Sequence, residues 1–290
     1  MDIFLQLVVT GLSVGCLYAL IALGFTIIFN ATEVINIAQG EFVMMGGFVT
    51  FWLIDNGIPT WAAIIITVLA VGALGIAIQR GLFQTARKAT VLNLVLITVG
   101  LSILLSSSAL IVWGAEATSY EPFVTGALKV RSVVITWQSL ILVVTTLAAM
   151  IGLHFLYQRT RLGQAMLATS INKEAASAMG INVKLMIMIS FGIAAAFGGL
   201  GGVIMTPIVP IYYGIGLSFT LKGFAAGMLG GLGSIKGALL GGLVLGLLES
   251  FVTYYISSGY RDVIAMSIII FVLMVRPGGI LGSRVVAEEL

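Results

Sequence analysis

Charge is scarce in this chain of 290 residues, of which 9% are Asp, Glu, Lys or Arg, against about 25% in an ordinary soluble domain. A water-soluble fold of this size needs charge across its exterior, so the deficit excludes a soluble globular protein. There is one cysteine, Cys16, which excludes an internal disulfide and leaves the redox compartment unspecified. Cys16 lies in an apolar run and reads as a small lipid-facing or packing residue. There is one histidine, His154, so a metal site finds no partners. No acid–base, nucleophile or metal constellation suggests an intramembrane enzyme. The 14 basic residues outnumber the 11 acidic ones, but they are spread along connecting loops, which points to topology and not to nucleic acid.

What the chain has in excess is apolar surface: 60% of its residues are hydrophobic and its mean hydropathy is +1.16. Apolar runs at 3–29 and about 34–54, 60–79, 91–113, 136–157, 185–206, 217–233, 237–257 and 262–275 predict an all-α polytopic membrane protein. The first run has no basic residue before it and exceeds a signal-peptide core, so it reads as a retained helix. Nine spans of about 20 residues use roughly 180 positions, which leaves loops but no room for a soluble nucleotide-binding domain. The whole chain, 1–290, is therefore read as a single transmembrane domain. Segment 30–42 is polar enough to be broken or re-entrant, so the expectation is eight or nine spans. If the spans alternate, ten basic residues fall on one side, in the loops holding Arg80, Arg159, Lys184 and Lys236 and in the C-terminal tail. Only Lys129, Arg131 and Arg261 fall on the other, and Lys222 belongs to neither. The positive-inside rule makes the first side, with the C-terminus, cytoplasmic. The outer loop 114–136 suits a short amphipathic hairpin or helix and is the expected extracytoplasmic contact surface, while Tyr212 and Tyr213 suit an interface anchor.

Charges within apolar segments need a reason, and Glu41, Lys222 and Glu249 are the cases here. Asn36, Gln39, Gly40 and Glu41 offer hydrogen-bonding groups beside a helix break, the arrangement by which many transporters make a midplane site for a small zwitterion. Mutual satisfaction of these polar groups inside the bundle is the equal alternative. For Glu249, interfacial snorkelling or an ion pair is favoured. The 36 glycines often recur at four-residue spacing, which lets helix backbones approach closely in lipid. Gly230, Gly231, Gly233, Gly237, Gly241 and Gly242 form the densest group and read as a packing or gating element. This stretch is not a phosphate loop, since Lys236 is followed by Gly237 and not by Ser or Thr.

In the basic loop 159–184, Asn172 can cap a short helix, Glu174 suits its first turn and Gly180 can end it in a left-handed conformation. Lys173, Ala175, Ala176, Ser177, Ala178 and Met179 complete that helix, narrow enough to enter a groove on another protein. The run Glu174-Ala-Ala followed by Gly180-Ile-Asn resembles the coupling-loop motif of ABC-importer permeases. Val34-Ile-Asn-Ile-Ala-Gln-Gly-Glu-Phe, Gly230-Gly-Leu-Gly-Ser-Ile-Lys-Gly-Ala-Leu-Leu-Gly-Gly and Arg276-Pro-Gly-Gly-Ile-Leu-Gly are similar to one subfamily, the permeases for branched-chain and other hydrophobic amino acids. The likeness spans the first apolar run to the C-terminus and is nearest to the H-type member of the permease pair. Gln39 stands where that family often has histidine, and Lys236 where proline is common.

The resemblance implies a multi-pass permease subunit of an importer in a bacterial inner membrane, working by alternating access. Its implied partners are a homologous second permease, two cytoplasmic ATPase subunits that carry ATP and Mg, and a periplasmic binding protein that delivers cargo. Similar permeases serve urea, short amides or aromatic acids, and an ATP-independent channel or secondary carrier is the rival mechanism.

Overall fold

In the computed structural model, residues 2–85, 90–130 and 133–260 are described, with Val263, Met266, Ser267, residues 270–272, Met274 and residues 278–280 beyond them. The first apolar run forms α1 (Asp2–Thr32), which is apolar on every side and buried from Gly11 onward along most of its length. A helix of that kind belongs at the centre of a bundle. Around it pack α5 (Trp137–Arg159), α8 (Val183–Met205), α9 (Ile215–Gly230) and α10 (Ile235–Tyr255). α2 (Gln39–Asp55) packs between α8 and α9, α3 (Thr60–Ile78) covers α8, and α4 (Val91–Trp113) rests on α2. α3 continues through a π-helical turn, Gln79–Phe83.

Among the described residues, six helices are long and apolar enough to cross a membrane: α1, α3 with its π-turn, α4, α5, α8 and α10. α2 and α9, at 17 and 16 residues, are shorter. Of the expected span 262–275, the described positions from Val263 to Met274 are helical and the others lie outside the described residues. Two local expectations change and one open alternative is decided. The run 34–54 is helical only from Gln39. The loop 159–184 holds two helices, α6 (Arg161–Ile171) and α7 (Lys173–Ala178), where one was expected. The loop 114–136 resolves to a hairpin of β1 (Ala127–Val130) and β2 (Val133–Thr136), with Ala127 paired to Thr136.

The bundle has two distinct ends. At one, the hairpin is held to the start of α1: Gln6 Nε2 donates to the Val134 carbonyl at 3.1 Å and Gln6 Oε1 accepts from the Val134 amide at 2.8 Å. Thr118 and Ile211 form an antiparallel bridge there, and Tyr120 donates to the Val203 carbonyl. Burial raises the Tyr120 phenol above its usual range, so it remains a donor at ordinary pH. The opposite end gathers the close of α1, the α6–α7 segment and the α9–α10 turn, where Asn30 Nδ2 donates to the Gly233 carbonyl at 3.0 Å.

Close backbone approach fixes the central seam. A β-carbon at Gly15 would stand 2.8 Å from the Gly242 carbonyl oxygen and 2.8 Å from the Leu243 α-carbon. In lipid no hydrophobic force pulls two helices together, so the dispersion contacts that glycine permits here carry much of the adhesion.

Candidate functional site

Among the described residues, two polar constellations that include charged side chains lie inside the bundle, and one short helix projects from its end. The first constellation begins where α1 stops. Thr32 turns its hydroxyl back to the Ile28 carbonyl and accepts from the Val34 amide, and Glu33 takes a left-handed φ of 63°. Residues 33–38 then run without helix until Asn36 Oδ1 accepts from the Ala38 amide at 3.1 Å, a local turn that launches α2.

A non-helical backbone inside lipid must be satisfied by neighbours. Thr98 of α4 accepts from the Ile37 amide at 3.0 Å. Thr220 of α9 donates to the Ile37 carbonyl and accepts from the Gly40 amide, both at 2.9 Å. Gln39 Nε2 donates to the Ala194 carbonyl of α8 at 3.0 Å. Ser102 of α4 donates to Glu41 Oε1 at 2.7 Å, and the Glu41 carboxylate rests against the bare α-carbon of Gly216. Gly40 is equally constrained, because a side chain there would strike the Gly216 carbonyl and Thr220.

The structure thus brings Asn36, Gln39, Gly40 and Glu41 together, and it encloses them: Asn36 and Glu41 are 1% exposed and Gln39 is 0% exposed. Among the described residues, Asn36 Nδ2, Gln39 Oε1 and Glu41 Oε2 have no hydrogen-bond partner. Three unsatisfied buried polar atoms on one turn are costly, about 1–3 kcal/mol each. They mark a place where a rearrangement or a small polar guest would find waiting partners. Thr98, Ser102 and Thr220 are the members that sequence reading did not single out. The only signal available was a hydroxyl inside an apolar run, which by itself usually means a bond to the residue's own helix.

The second constellation joins α9, α10 and α1. Lys222 Nζ lies 2.7 Å from Glu249 Oε1, and the Tyr18 hydroxyl donates to Glu249 Oε2. Glu249 is therefore ion-paired, and Lys222, which the loop count left on neither side, is its partner.

At the end of the bundle, Asn172 Oδ1 accepts from the Ala175 amide at 2.8 Å and caps α7. Glu174 lies in its first turn. Gly180, at φ 84°, closes the segment before Asn182 caps α8. Of Asn172 to Gly180, Ala176 is buried and Lys173 is half-buried, while Met179 is 83% exposed. Lys173 Nζ reaches back to Glu33 at 3.1 Å and to the Thr32 carbonyl at 3.4 Å, so α7 touches the approach to the 36–41 turn.

Gly231 and Gly233 make the tight turn between α9 and α10, while Gly230 ends α9 and Gly237, Gly241 and Gly242 lie within α10. Gly231 and Gly233 have φ of 101° and 90°. Gly230 and Gly237 press backbone to backbone, Gly241 abuts the Ala226 carbonyl, and Gly242 meets α1 at Ala19 and Gly15.

A family model described as branched-chain amino acid transport system, permease component, matches residues 7–273. The chain is 33% identical over 294 residues to the high-affinity branched-chain amino acid transport system permease protein BraD of Pseudomonas aeruginosa, covering 96% of each. It is 33% identical over 298 residues to the corresponding permease protein LivH of Escherichia coli K12, again covering 96% of each. A probable branched-chain amino acid transport permease LivH of Methanocaldococcus jannaschii is 29% identical over 284 residues, 92% of this chain and 89% of the relative. No solved structure matches.

Proposed function

The chain belongs to the branched-chain amino acid transport permease family, and from that premise we infer how its parts divide the work of import. It is a multi-pass transmembrane permease subunit of an ABC importer for branched-chain amino acids, a transport component and not an enzyme. We assign it to a bacterial inner membrane with its C-terminus in the cytoplasm. The end of the bundle that carries α7 then faces the cytoplasm, an orientation supported by the grouping of Arg159, Arg161, Lys173, Lys184 and Lys236 in the loops of that end.

In this reading a second permease completes the membrane unit, a periplasmic binding protein delivers cargo to the hairpin end, and two ATPase subunits hold ATP and Mg below α7. Residues Asn172, Lys173, Glu174, Ala175, Ala176, Ser177, Ala178, Met179 and Gly180 dock into those ATPases. The observation that carries this assignment is the capped, outward-facing α7 whose Lys173 is bonded to Glu33 and Thr32. Displacement of α7 pulls on the non-helical stretch 33–38. Asn36, Gln39, Gly40 and Glu41 border the path that opens when α2, α4 and α9 shift, and their unsatisfied atoms are exposed at that stage. Gly230, Gly231, Gly233, Gly237, Gly241 and Gly242 serve as a packing or gating element where α9, α10 and α1 meet.

The test is leucine uptake by the complete transporter in liposomes. Glu174→Lys reverses the charge presented by α7, and Gly180→Val forces a β-branched residue into a left-handed conformation that costs roughly 1–2 kcal/mol for an ordinary L-residue. Both variants are expected to insert normally and to lose ATPase attachment or coupled uptake. Full uptake by both removes the coupling assignment, uptake that persists without the ATPase subunits indicates a channel or secondary carrier, and preference for urea, short amides or aromatic acids over leucine reassigns the cargo.

A further inference from the structure

The Lys222–Glu249 pair has no part in the assignment above, yet it places two opposite charges inside the bundle. Glu249's side chain is 2% exposed and Lys222's 12%, and Lys222 Nζ stands 5.7 Å from the centre of the Tyr18 ring. Removing an ammonium and a carboxylate from water is expensive even when they meet, and ionisable groups at membrane depth typically mark a substrate or ion pathway.

The pair's surroundings differ from those of the 36–41 turn. On α9, Thr220 faces that turn, while Lys222, about 200° further round the helix, faces away from it. Lys222 borders a cavity of about 410 Å³ whose walls are Ser218, Leu221, Val263, Met266, Ser267 and Ile270. Glu249 borders a second cavity of about 310 Å³, between α10 and the start of α1. The pair is thus a charged septum between two spaces, each within or near the size range of small-molecule sites.

We propose that Lys222, Glu249 and the larger cavity form a head-group subsite for a branched-chain amino acid in transit. The cargo carboxylate meets the Lys222 ammonium, the cargo ammonium meets the Glu249 carboxylate, and the branched side chain lies against Leu221, Val263, Met266 and Ile270. A zwitterion that inserts into an ion pair replaces one pair with two, so no unpaired charge is left inside the bundle before, during or after passage. With no cargo present the two groups close on each other. The assignment rests on the family reading of the cargo and adds to it the residues that hold it.

The experiment uses the complete transporter in liposomes. In a Cys16→Ala background, Ser267→Cys places the only thiol of this chain on the cavity wall, and a charged, water-soluble methanethiosulfonate is applied with the label quantified on this chain. The thiol is expected to react. Leucine supplied through the binding protein during ATP turnover is expected to slow labelling progressively over the same concentration range that saturates uptake. No reaction with the charged reagent, as for a groove filled by lipid chains, overturns the proposal, and so does labelling that leucine does not slow.

A second arm exchanges the charges, Lys222→Glu with Glu249→Lys, which keeps an ion pair but sets like charges against the cargo. Leucine uptake is expected to fall by more than about tenfold, because like-charge contacts in a desolvated site are strongly unfavourable. ATP hydrolysis by the assembled complex is expected to persist. Full uptake by the exchanged pair reduces Lys222 and Glu249 to a structural clamp. If the exchanged complex does not assemble, the labelling arm decides alone. Absence of leucine uptake by the unsubstituted transporter is a different failure, that of the cargo reading itself.

Discussion

Alanine at Gly242 and alanine at Gly152 make the same chemical change in two long membrane helices, and the structure assigns them opposite signs. A β-carbon at Gly242 would lie 2.5 Å from the Ala19 amide nitrogen, 2.7 Å from the Ala19 α-carbon and 2.7 Å from the Gly15 carbonyl oxygen. All three are backbone atoms of α1, which cannot rotate aside as a side chain can. Ordinary contact begins at 3.4 Å, so α1 and α10 must part by somewhat under 1 Å. A gap of about 0.5–1 Å forfeits a quarter to a half of each dispersion contact along the seam. Overpacking of this kind costs about 1–3 kcal/mol. At Gly152, inside α5, the added carbon meets no atom within 4 Å. There alanine restricts the unfolded chain and stabilises by about 0.4–1 kcal/mol. Cys16, the single thiol, is 3% exposed, so a thiol-reactive fluorophore reports unfolding of the detergent-purified chain on heating. Gly152→Ala is expected to melt above the parent and Gly242→Ala below it, a separation of about 3–16 °C for about 1.4–4 kcal/mol at 2–4 °C per kcal/mol. Equal melting temperatures refute the claim that backbone contact, and not a general abundance of membrane glycine, sets the α1–α10 seam.

Ser102→Ala removes the hydroxyl that donates to Glu41 Oε1 at 2.7 Å and is expected to destabilise by about 1–3 kcal/mol. In a Glu41→Ala background, which leaves the Ser102 hydroxyl without that acceptor, the same change is expected to cost much less; the same thermal assay on all four proteins checks the coupling. Tyr18→Phe deletes the donor to Glu249 Oε2. A hydrogen bond to a charged group contributes about 1.5–3 kcal/mol, so a melting point unchanged from the parent would show that the phenol is dispensable to the pair.

Much of the helical frame was legible because hydrophobic runs and caps agree. The run at 91–113 became α4 with Thr90 accepting from the Asn93 amide. The run at 136–157 became α5 behind a Thr136 cap. α7 was legible for the same reason, since Asn172 and Gly180 are residues whose local chemistry starts and stops a helix. The loop 159–184 was only half read: its basic residues drew attention to topology, while Thr160, which accepts from the Gly163 amide, starts α6. The break before α2 showed as polarity, but its position did not. The partners that make a non-helical stretch tolerable, Thr98 and Thr220, lie 61 and 183 positions away along the chain. Periodicity holds no information on such pairings. Lys222 was unreadable for the same reason, since its partner is 27 residues away on another helix.

The two short helices share a cause. At about 1.5 Å per residue, α2 and α9 each span about 25 Å, less than the roughly 30 Å of a hydrocarbon core. Each is preceded by non-helical chain, 33–38 before α2 and 206–214 before α9. They meet where Gly40 and Glu41 press on Gly216 and Thr220, so each supplies the polar backbone partners that the other's break requires. A rigid-body shift of α9 would therefore alter two things together, the Thr220 bonds to Ile37 and Gly40 on one side and the Lys222–Glu249 pair on the other. Long helices such as α1 and α8, packed by backbone contact along their length, have no comparable joint. A displacement of α7 would reach the approach to the α2–α9 junction through Lys173 and Glu33.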